Sequence, residues 1–151
     1  MRRAYHVLAN LIAVEVVIQA MMIATGVAGL SHWIDDGATV NKHVLDNDPS
    51  FTGSFGFAVH AINGEMLIPL LALILLVISF FAKVVGGTRW ALYIVGLIVV
   101  QVVLGVAQGD VPYLGLLHGA NAFALLVVAV LAARRASGTV PVATTTAPAD
   151  A

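Results

Sequence analysis

Two histidines occupy matching positions in this sequence and are the side chains best suited to chemistry. His60 and His118 each lie near the start of a long apolar run, and each is followed three residues later by an asparagine, Asn63 and Asn121. An imidazole at membrane depth is costly without a partner, so a matched pair on two spans indicates something held between them. Two axial imidazoles suit haem iron and leave no open position for oxygen activation. The pattern therefore predicts a haem iron bound by His60 and His118, for electron transfer or a structural role.

The composition indicates a membrane protein. Hydrophobic residues make up 60% of the 151 residues and charged residues only 10%, whereas roughly 25% of a soluble domain is charged. A helix needs about 20 apolar residues to cross the hydrocarbon core, and four stretches qualify, namely Val7 to Leu30, Phe57 to Val85, Trp90 to Gln108 and Leu114 to Ala133. The first stretch has no clear cleavage site and is interpreted as a retained span rather than a signal peptide.

These stretches predict an all-α integral membrane protein, a bundle of four transmembrane helices in a lipid bilayer. The bundle is expected to occupy residues 1–136. The tail over residues 137–151 is small, polar and contains proline, so it is expected to be disordered. The absence of cysteine excludes thiolate ligands and disulfides, and the near-neutral net charge gives no reason to expect nucleic acid as a partner.

Basic residues predict the orientation in the membrane. Six of them flank one side of the predicted spans: Arg2, Arg3, Lys83, Arg89, Arg134 and Arg135. The other side carries Lys42 among several aspartates. By the positive-inside rule, both termini face the cytoplasm across a bacterial-type cytoplasmic (inner) membrane, and the loop over residues 31–56 is extracytoplasmic.

A repeated pattern suggests that the bundle is a duplicated helix hairpin. The first span contains Gln19 and then Gly26, the third contains Gln101 and then Gly105, and each is followed by a span that opens on His-x-x-Asn. Two such hairpins are related by an axis along the membrane normal. Both histidines then lie at the same depth, about one helical turn inside the extracytoplasmic boundary.

Small and amide side chains near the histidines have two interpretations. Gly64 and Gly119 leave room beside the ligands for a flat macrocycle. Asn63 and Asn121 either orient the cofactor site or form hydrogen bonds between helices, and the sequence leaves both open. The glutamines of the repeat are explained by close helix packing.

Other polar residues are secondary candidates. Glu15 and Glu65 are acidic residues inside the spans, where they are candidates for proton transfer or quinone contact. Donors to haem propionates would come from the outer loop, whose candidates are His32, Trp33, Lys42 and His43. Pro69 is expected to kink the second span.

Residues of the second hairpin resemble the haem A synthase family. The second hairpin of one four-helix half in that family is similar to three features of this chain: Gln101-Val-Val-Leu104-Gly105, then Leu117-His118, then an apolar helix that ends in Arg134-Arg135. His60 matches the other histidine of such a half. The resemblance implies a haem-binding bundle.

The chain also departs from that family. The family fuses two such halves, one with b-type haem and one with the substrate haem, and its catalytic half has a glutamate three residues before the first histidine. Phe57 stands there in this chain, which corresponds to one half only and has no loop cysteines. The resemblance therefore argues against haem A synthesis by this chain alone.

Three functional hypotheses follow. The first is a b-type haem protein that serves as an electron-transfer or accessory subunit of a respiratory membrane complex, without catalytic activity of its own and with other membrane subunits as partners. The second is a small cofactor-free subunit or assembly factor whose histidines only pack and form hydrogen bonds. The third is a quinone-linked oxidoreductase, which would require Glu15 or Glu65 beside a pocket.

Overall fold

The helices of this chain form the predicted bundle. The computed structural model describes residues 1–47 and 50–138, with only the backbone at 46 and 47. Its elements are α1 (Arg2–Asp35), α2 (Lys42–Asn47), α3 (Phe55–Ile62), a π-helical turn (Asn63–Leu67), α4 (Ile68–Ser79), α5 (Gly87–Ala107) and α6 (Leu114–Ser137). Four helical stretches are long and apolar enough to cross a membrane: α1, the continuous stretch Phe55–Ser79, α5 and α6. The all-α, four-span fold is confirmed.

The packing order places the two histidine-bearing spans opposite one another. Helix α1 packs against α6 and against both α3 and α4, while α5 packs against α6 and α4. Each span thus has two neighbours, and the Phe55–Ser79 span lies diagonally across the bundle from α6. Residues on these two spans can face each other through the middle of the bundle.

The tightly packed core occupies the half of the bundle near the chain termini, which we call the terminal half. Its largest fully buried side chains are Tyr5, Ile12, Leu75, Ile94 and Leu125, and it also contains many alanines. Small side chains allow helix backbones to approach closely in a membrane, where packing rather than water exclusion holds helices together. The Arg2 Nε donates to the Ala136 carbonyl over 2.8 Å, so both ends of the bundle domain lie on the same side.

The second span is interrupted by one π-helical turn just before Pro69. The Ile68 N–H donates to the Asn63 carbonyl, five residues back instead of four. Proline has no N–H to donate and its ring crowds the carbonyl four residues earlier, so a regular α-helix is disfavoured there. The expected kink is therefore a local widening of the helix, a feature common at functional sites.

The second span also ends earlier than the hydropathy predicts. Its helix stops at Ser79 rather than near Val85, and residues 80–86 form the turn to α5. Lys83 and Gly86 both have positive φ, 51° and 70°, which ends the helical path. Phe80, Phe81 and Val85 are exposed, so the apolar run continues past the helix as part of an apolar turn.

The last helix ends one residue beyond position 136. Helix α6 includes Ser137, and Gly138 follows with a φ of 75°, a left-handed conformation typical of a helix end. Residues 139–151 lie outside the described part of the chain, so the predicted disorder of the tail stays a prediction.

At the opposite end, the far half, the long loop packs onto the first two spans. The ring of Phe51 stacks on Trp33 at 5.3 Å between centroids and meets Phe57 edge-on at 6.1 Å. A Cβ at Gly56 would collide with the Met22 carbonyl oxygen. The close backbone approach fixes α3 against α1, and thereby positions His60.

Candidate functional site

A cleft separates the two hairpins in the far half of the bundle. There α3 packs against α1, and the start of α6 packs against α5, which leaves a cavity of about 560 Å³ between the pairs. All four spans contribute to its mainly apolar wall. The polar side chains in the wall are Gln19, His60, Glu65, Gln101, Gln108 and His118. This size and lining match sites that bind a small organic molecule or cofactor.

His60 and His118 face each other inside this cleft. Their ring centroids are 6.2 Å apart and the ring planes are tilted by 56°. A metal bond to an imidazole nitrogen is about 2 Å long, and the nitrogen lies about 1 Å from the ring centre, so two rings that share one metal ion stand about 6 Å apart. The observed separation therefore suits two axial ligands of a single iron.

Backbone carbonyls determine which ring nitrogen is available for a metal. The Nδ1 of His60 lies 3.1 Å from the Gln19 carbonyl oxygen, and the Nδ1 of His118 lies 3.1 Å from the Gln101 carbonyl oxygen. A carbonyl only accepts, so each Nδ1 carries the proton and donates it. In neutral imidazole, Nε2 then has the free lone pair, and a partner on Nδ1–H is the usual arrangement behind a metal-bound histidine.

The second hairpin carries a complete hydrogen-bond network around His118. Asn121 Nδ2 donates to the Gln101 side-chain oxygen at 2.6 Å and to the Leu97 carbonyl at 2.9 Å. The Gln101 Nε2 in turn lies 3.1 Å from His118 Nε2, where it donates to the lone pair. Asn121 therefore acts on the histidine through Gln101.

The first hairpin uses the corresponding residues differently. Asn63 Nδ2 donates to Glu15 Oε2 at 2.8 Å, from the second span to the first. The Gln19 side chain is 9% exposed, and neither its nitrogen nor its oxygen has a hydrogen-bond partner among the described residues. Unsatisfied buried amides are costly, so the Gln19 amide beside His60 is a strained feature that the second hairpin does not share.

Both asparagines thus form bonds between helices. Neither Asn63 nor Asn121 lines the main cavity, and each donates to a residue of the neighbouring helix. Asn121 still orients the site because its partner, Gln101, forms part of the cavity wall.

The glycines near the site have unequal roles. Gly64 and Gly119 both line the cavity, in agreement with their predicted place. A Cβ at Gly119 would meet nothing within 4 Å, whereas a Cβ at Gly64 would lie 3.2 Å from the Gln19 amide nitrogen. Open space therefore lies beside Gly119, and Gly64 makes room for the unpartnered amide.

The glycines of the proposed repeat are not equivalent to each other. Gly105 follows its glutamine by four residues and borders His118, whereas Gly26 follows its glutamine by seven and borders Phe57. The position that corresponds to Gly26 is Gln108, and its side chain faces Gly115. In the first hairpin the glycine is on the first helix and faces Phe57, whereas in the second hairpin the glycine is on the second helix and faces Gln108. This exchange supports the duplication, but it shows that Gly26 and Gly105 are not equivalent positions.

The remaining candidates lie around the cleft rather than in its centre. Glu65 belongs to the π-helical turn and lies exposed at the rim of the cavity. Glu15 lines a separate groove with Asn63. The outer-loop candidates for propionate donors, His32, Trp33, Lys42 and His43, do not line the cavity.

Gln19 and Gln101 are the site residues that sequence reasoning missed, because it assigned them to helix packing. Both line the cavity, and their carbonyls orient the histidines. The signal was the repeat itself, since a glutamine precedes each His-x-x-Asn at the same place in its hairpin.

The donor set fits a metal that brings most of its own ligands. Within residues 1–47 and 50–138, no three His, Asp or Glu side chains cluster closely enough to hold a bare metal ion. Haem iron needs only axial ligands from the protein, and imidazoles such as those of His60 and His118 are groups of that kind. No protein-family model, curated protein or solved structure matches the chain, and the resemblance to the haem A synthase family stays a prediction.

Proposed function

We propose that this chain is a membrane-embedded b-type haem protein, with His60 and His118 as the axial ligands of one iron. The observation that carries the proposal is the 6.2 Å separation of two imidazoles across a mainly apolar cleft. Support also comes from the Nδ1 bonds to backbone carbonyls, which put the lone pair of both rings on Nε2. The lone pair of His118 accepts from Gln101, and no bond to that of His60 is found among the described residues. When bound, the haem supplies one-electron redox chemistry.

The residues of the chain hold the ligands and limit access to them. The carbonyls of Gln19 and Gln101 fix the two rings, and the wall around the space between them is mainly apolar. Two fixed imidazoles favour electron transfer over substrate activation, because they fill both axial positions. We therefore propose an electron-transfer or accessory subunit without catalytic activity of its own.

The proposed setting is the bacterial cytoplasmic membrane. Many large apolar side chains on the spans are exposed, among them Val14, Leu73, Val103 and Val127, which fits contact with lipid or with other membrane subunits. The basic residues favour cytoplasmic termini, so the cleft lies in the extracytoplasmic half. An electron partner would be another subunit of a respiratory complex or a quinone at the open rim of the cleft.

The residue at position 57 argues for haem binding rather than haem A synthesis. Phe57 packs against Gly26 and Phe51, at the position where the family that the chain resembles has a glutamate. An aromatic side chain cannot transfer a proton or stabilise a developing positive charge as a carboxylate does.

A cofactor-free subunit is the second candidate, and one observation favours it. Both ring nitrogens of His118 already have partners within the chain, as expected of a histidine that only links helices. The unpartnered Gln19 amide favours the haem site instead, because a purely structural pair would satisfy both glutamines.

The optical spectrum of the purified protein tests the proposal. Protein from haem-replete cells should show the sharp reduced bands of a six-coordinate low-spin b haem, and His60→Ala or His118→Ala should abolish or convert them. His6→Ala is the matched control, because His6 also contacts a backbone carbonyl through Nδ1, at 2.9 Å from Ala133 O, but at the terminal end. A colourless wild-type protein would sink the proposal and promote the cofactor-free alternative.

A further inference from the structure

The two histidines of the cleft are bound unequally by the protein. We propose that Gln101 competes for the ligating nitrogen of His118, which makes His118 the exchangeable ligand and His60 the permanent one. The inference rests on the proposed function. It adds that small external ligands, such as carbon monoxide or free imidazole, can bind the iron on the His118 side.

The Gln101 residue engages both nitrogens of His118. Its carbonyl oxygen accepts from Nδ1 at 3.1 Å, and its side-chain nitrogen lies 3.1 Å from Nε2. Asn121 Nδ2 holds the other end of the Gln101 amide at 2.6 Å, so the amide cannot rotate away without losing a second bond. Ligation of iron by His118 therefore requires that the Gln101 hydrogen bond to Nε2 be broken.

His60 has no such competitor among the described residues. Gln19 occupies the corresponding place and its carbonyl holds His60 Nδ1, but its side-chain amide makes no hydrogen bond. The reason lies one helical turn away from His60 and Gln19, because Asn63 donates to Glu15 rather than to Gln19. Ligation by His60 thus breaks no hydrogen bond within residues 1–47 and 50–138.

Ligation of the iron by His118 costs one more hydrogen bond than ligation by His60. A net hydrogen bond changes an equilibrium constant by several-fold to about tenfold. A ligand that competes with an axial histidine should therefore displace His118 and leave His60 in place. Of the two single substitutions, His60→Ala should lose more haem than His118→Ala.

Gln101→Leu and the matched control Asn10→Leu, which removes an amide contact of the same 3.1 Å length to His6 Nε2, test the inference in two ways. In haem-free protein with ¹⁵N-labelled histidine, NMR should show that Gln101→Leu shifts the Nε2 resonance of His118 and leaves that of His60 unchanged. In the haem-loaded ferrous protein, Gln101→Leu should weaken carbon monoxide binding by about fivefold to tenfold, because His118 then ligates without competition. Asn10→Leu should leave the carbon monoxide affinity close to that of the wild type, because Asn10 and His6 lie outside the cleft.

The outcomes separate this inference from the proposed function. Equal carbon monoxide affinities for the two variants, or greater haem loss from His118→Ala than from His60→Ala, overturn the unequal roles while the haem site stands. Failure of the wild type to bind haem, with the NMR difference intact, overturns the proposed function and the ligand exchange with it. Thermal unfolding of each variant in detergent identifies any variant that is merely misfolded. If Gln101→Leu is misfolded, Asn121→Ala serves in its place, because it releases the Gln101 amide.

Discussion

At the scale of single residues, Gly105 determines how closely α5 can approach the histidine of α6. A Cβ at this position would lie 3.1 Å from His118 Cε1 and 3.3 Å from its Nδ1. These contacts are tighter than ordinary van der Waals packing, and the His118 ring is already held by two bonds to Gln101. The glycine therefore sets the position of the ring along with Gln101.

We expect Gly105→Ala to displace the His118 ring by a few tenths of an ångström and to lower haem occupancy several-fold, with a larger high-spin fraction in the optical spectrum. Gly96→Ala is the matched control on the same helix, since its Cβ would meet nothing within 4 Å. Alanine there should retain the spectrum and stabilise the helix by about 0.5–1 kcal/mol. A Gly105→Ala protein with the wild-type spectrum would contradict the assigned role of the glycine.

The residue types that matter were only partly recognisable in the sequence. Histidine is rare in an apolar helix, so the pair His60 and His118 was conspicuous and the structure brings them together. Glutamine in a membrane span serves packing as readily as a site, and only the fold shows that the Gln19 and Gln101 carbonyls meet the histidines. The difference between the two amides depends on where Asn63 and Asn121 donate, which no linear pattern encodes.

At the scale of elements, the π-helical turn sets the rotation of α3 relative to α4. Its extra residue lies between His60, which faces the cleft, and the buried face of α4 that contains Leu71 and Leu75. Removal of one residue from a helix rotates what precedes it by about 100°. The turn thus allows one span to bury its inner half and still direct a histidine into the cavity.

Pro69→Ala tests whether proline maintains this turn. With an N–H at position 69, a bond to the Glu65 carbonyl becomes available and the α-helical path is favoured. We expect the rotation of α3 to weaken the opposition of His60 and His118, with lower haem occupancy by several-fold and a changed His60 NMR signal. Substitution of Pro112 by alanine, outside the helices, is the control. An unchanged His60 environment in Pro69→Ala would show that packing, not proline, holds the turn.

The existence of each span was predictable, while its limits were not. Hydropathy continues through the turn over residues 80–86 because Phe80, Phe81 and Val85 are apolar, although the backbone leaves the helix at Ser79. Helix α1 extends past its predicted end at Leu30 to Asp35, since helical hydrogen bonding does not stop where polar residues begin. Apolar runs therefore locate the spans better than they locate the ends of the helices.

At the scale of the whole molecule, the bundle divides into a packed half and an open half. Most of the largest fully buried side chains lie in the terminal half, whereas the cleft occupies the far half and extends inward to Leu125. Close packing in the terminal half fixes the angles between the spans, so that the helices of the far half can stay apart around the cavity. Stability and binding should then respond to different substitutions.

Leu75→Ala should lower stability without altering the haem site. Leu75 is 0% exposed, and loss of such a side chain costs on the order of 2 kcal/mol through the cavity that it leaves. We expect a lower thermal unfolding midpoint in detergent and an unchanged reduced spectrum at low temperature. Gly119→Leu, which fills open space in the cleft, should have the reverse effect. Equal haem loss from both variants would show that the two halves are not independent.

The orientation of the molecule can be tested with single cysteines, because the natural sequence has none. Both termini lie at one end of the bundle, and the basic residues at that end favour the cytoplasm. Ser50, in the far-end loop, and Val85, in the turn at the terminal end, are both exposed, and Val85 is 88% exposed. Intact cells that express Ser50→Cys should be labelled by a membrane-impermeant thiol reagent, whereas Val85→Cys should be labelled only after permeabilisation. The reverse pattern would put the cleft between His60 and His118 on the cytoplasmic side, and the electron partner of the proposed haem would then have to be sought there.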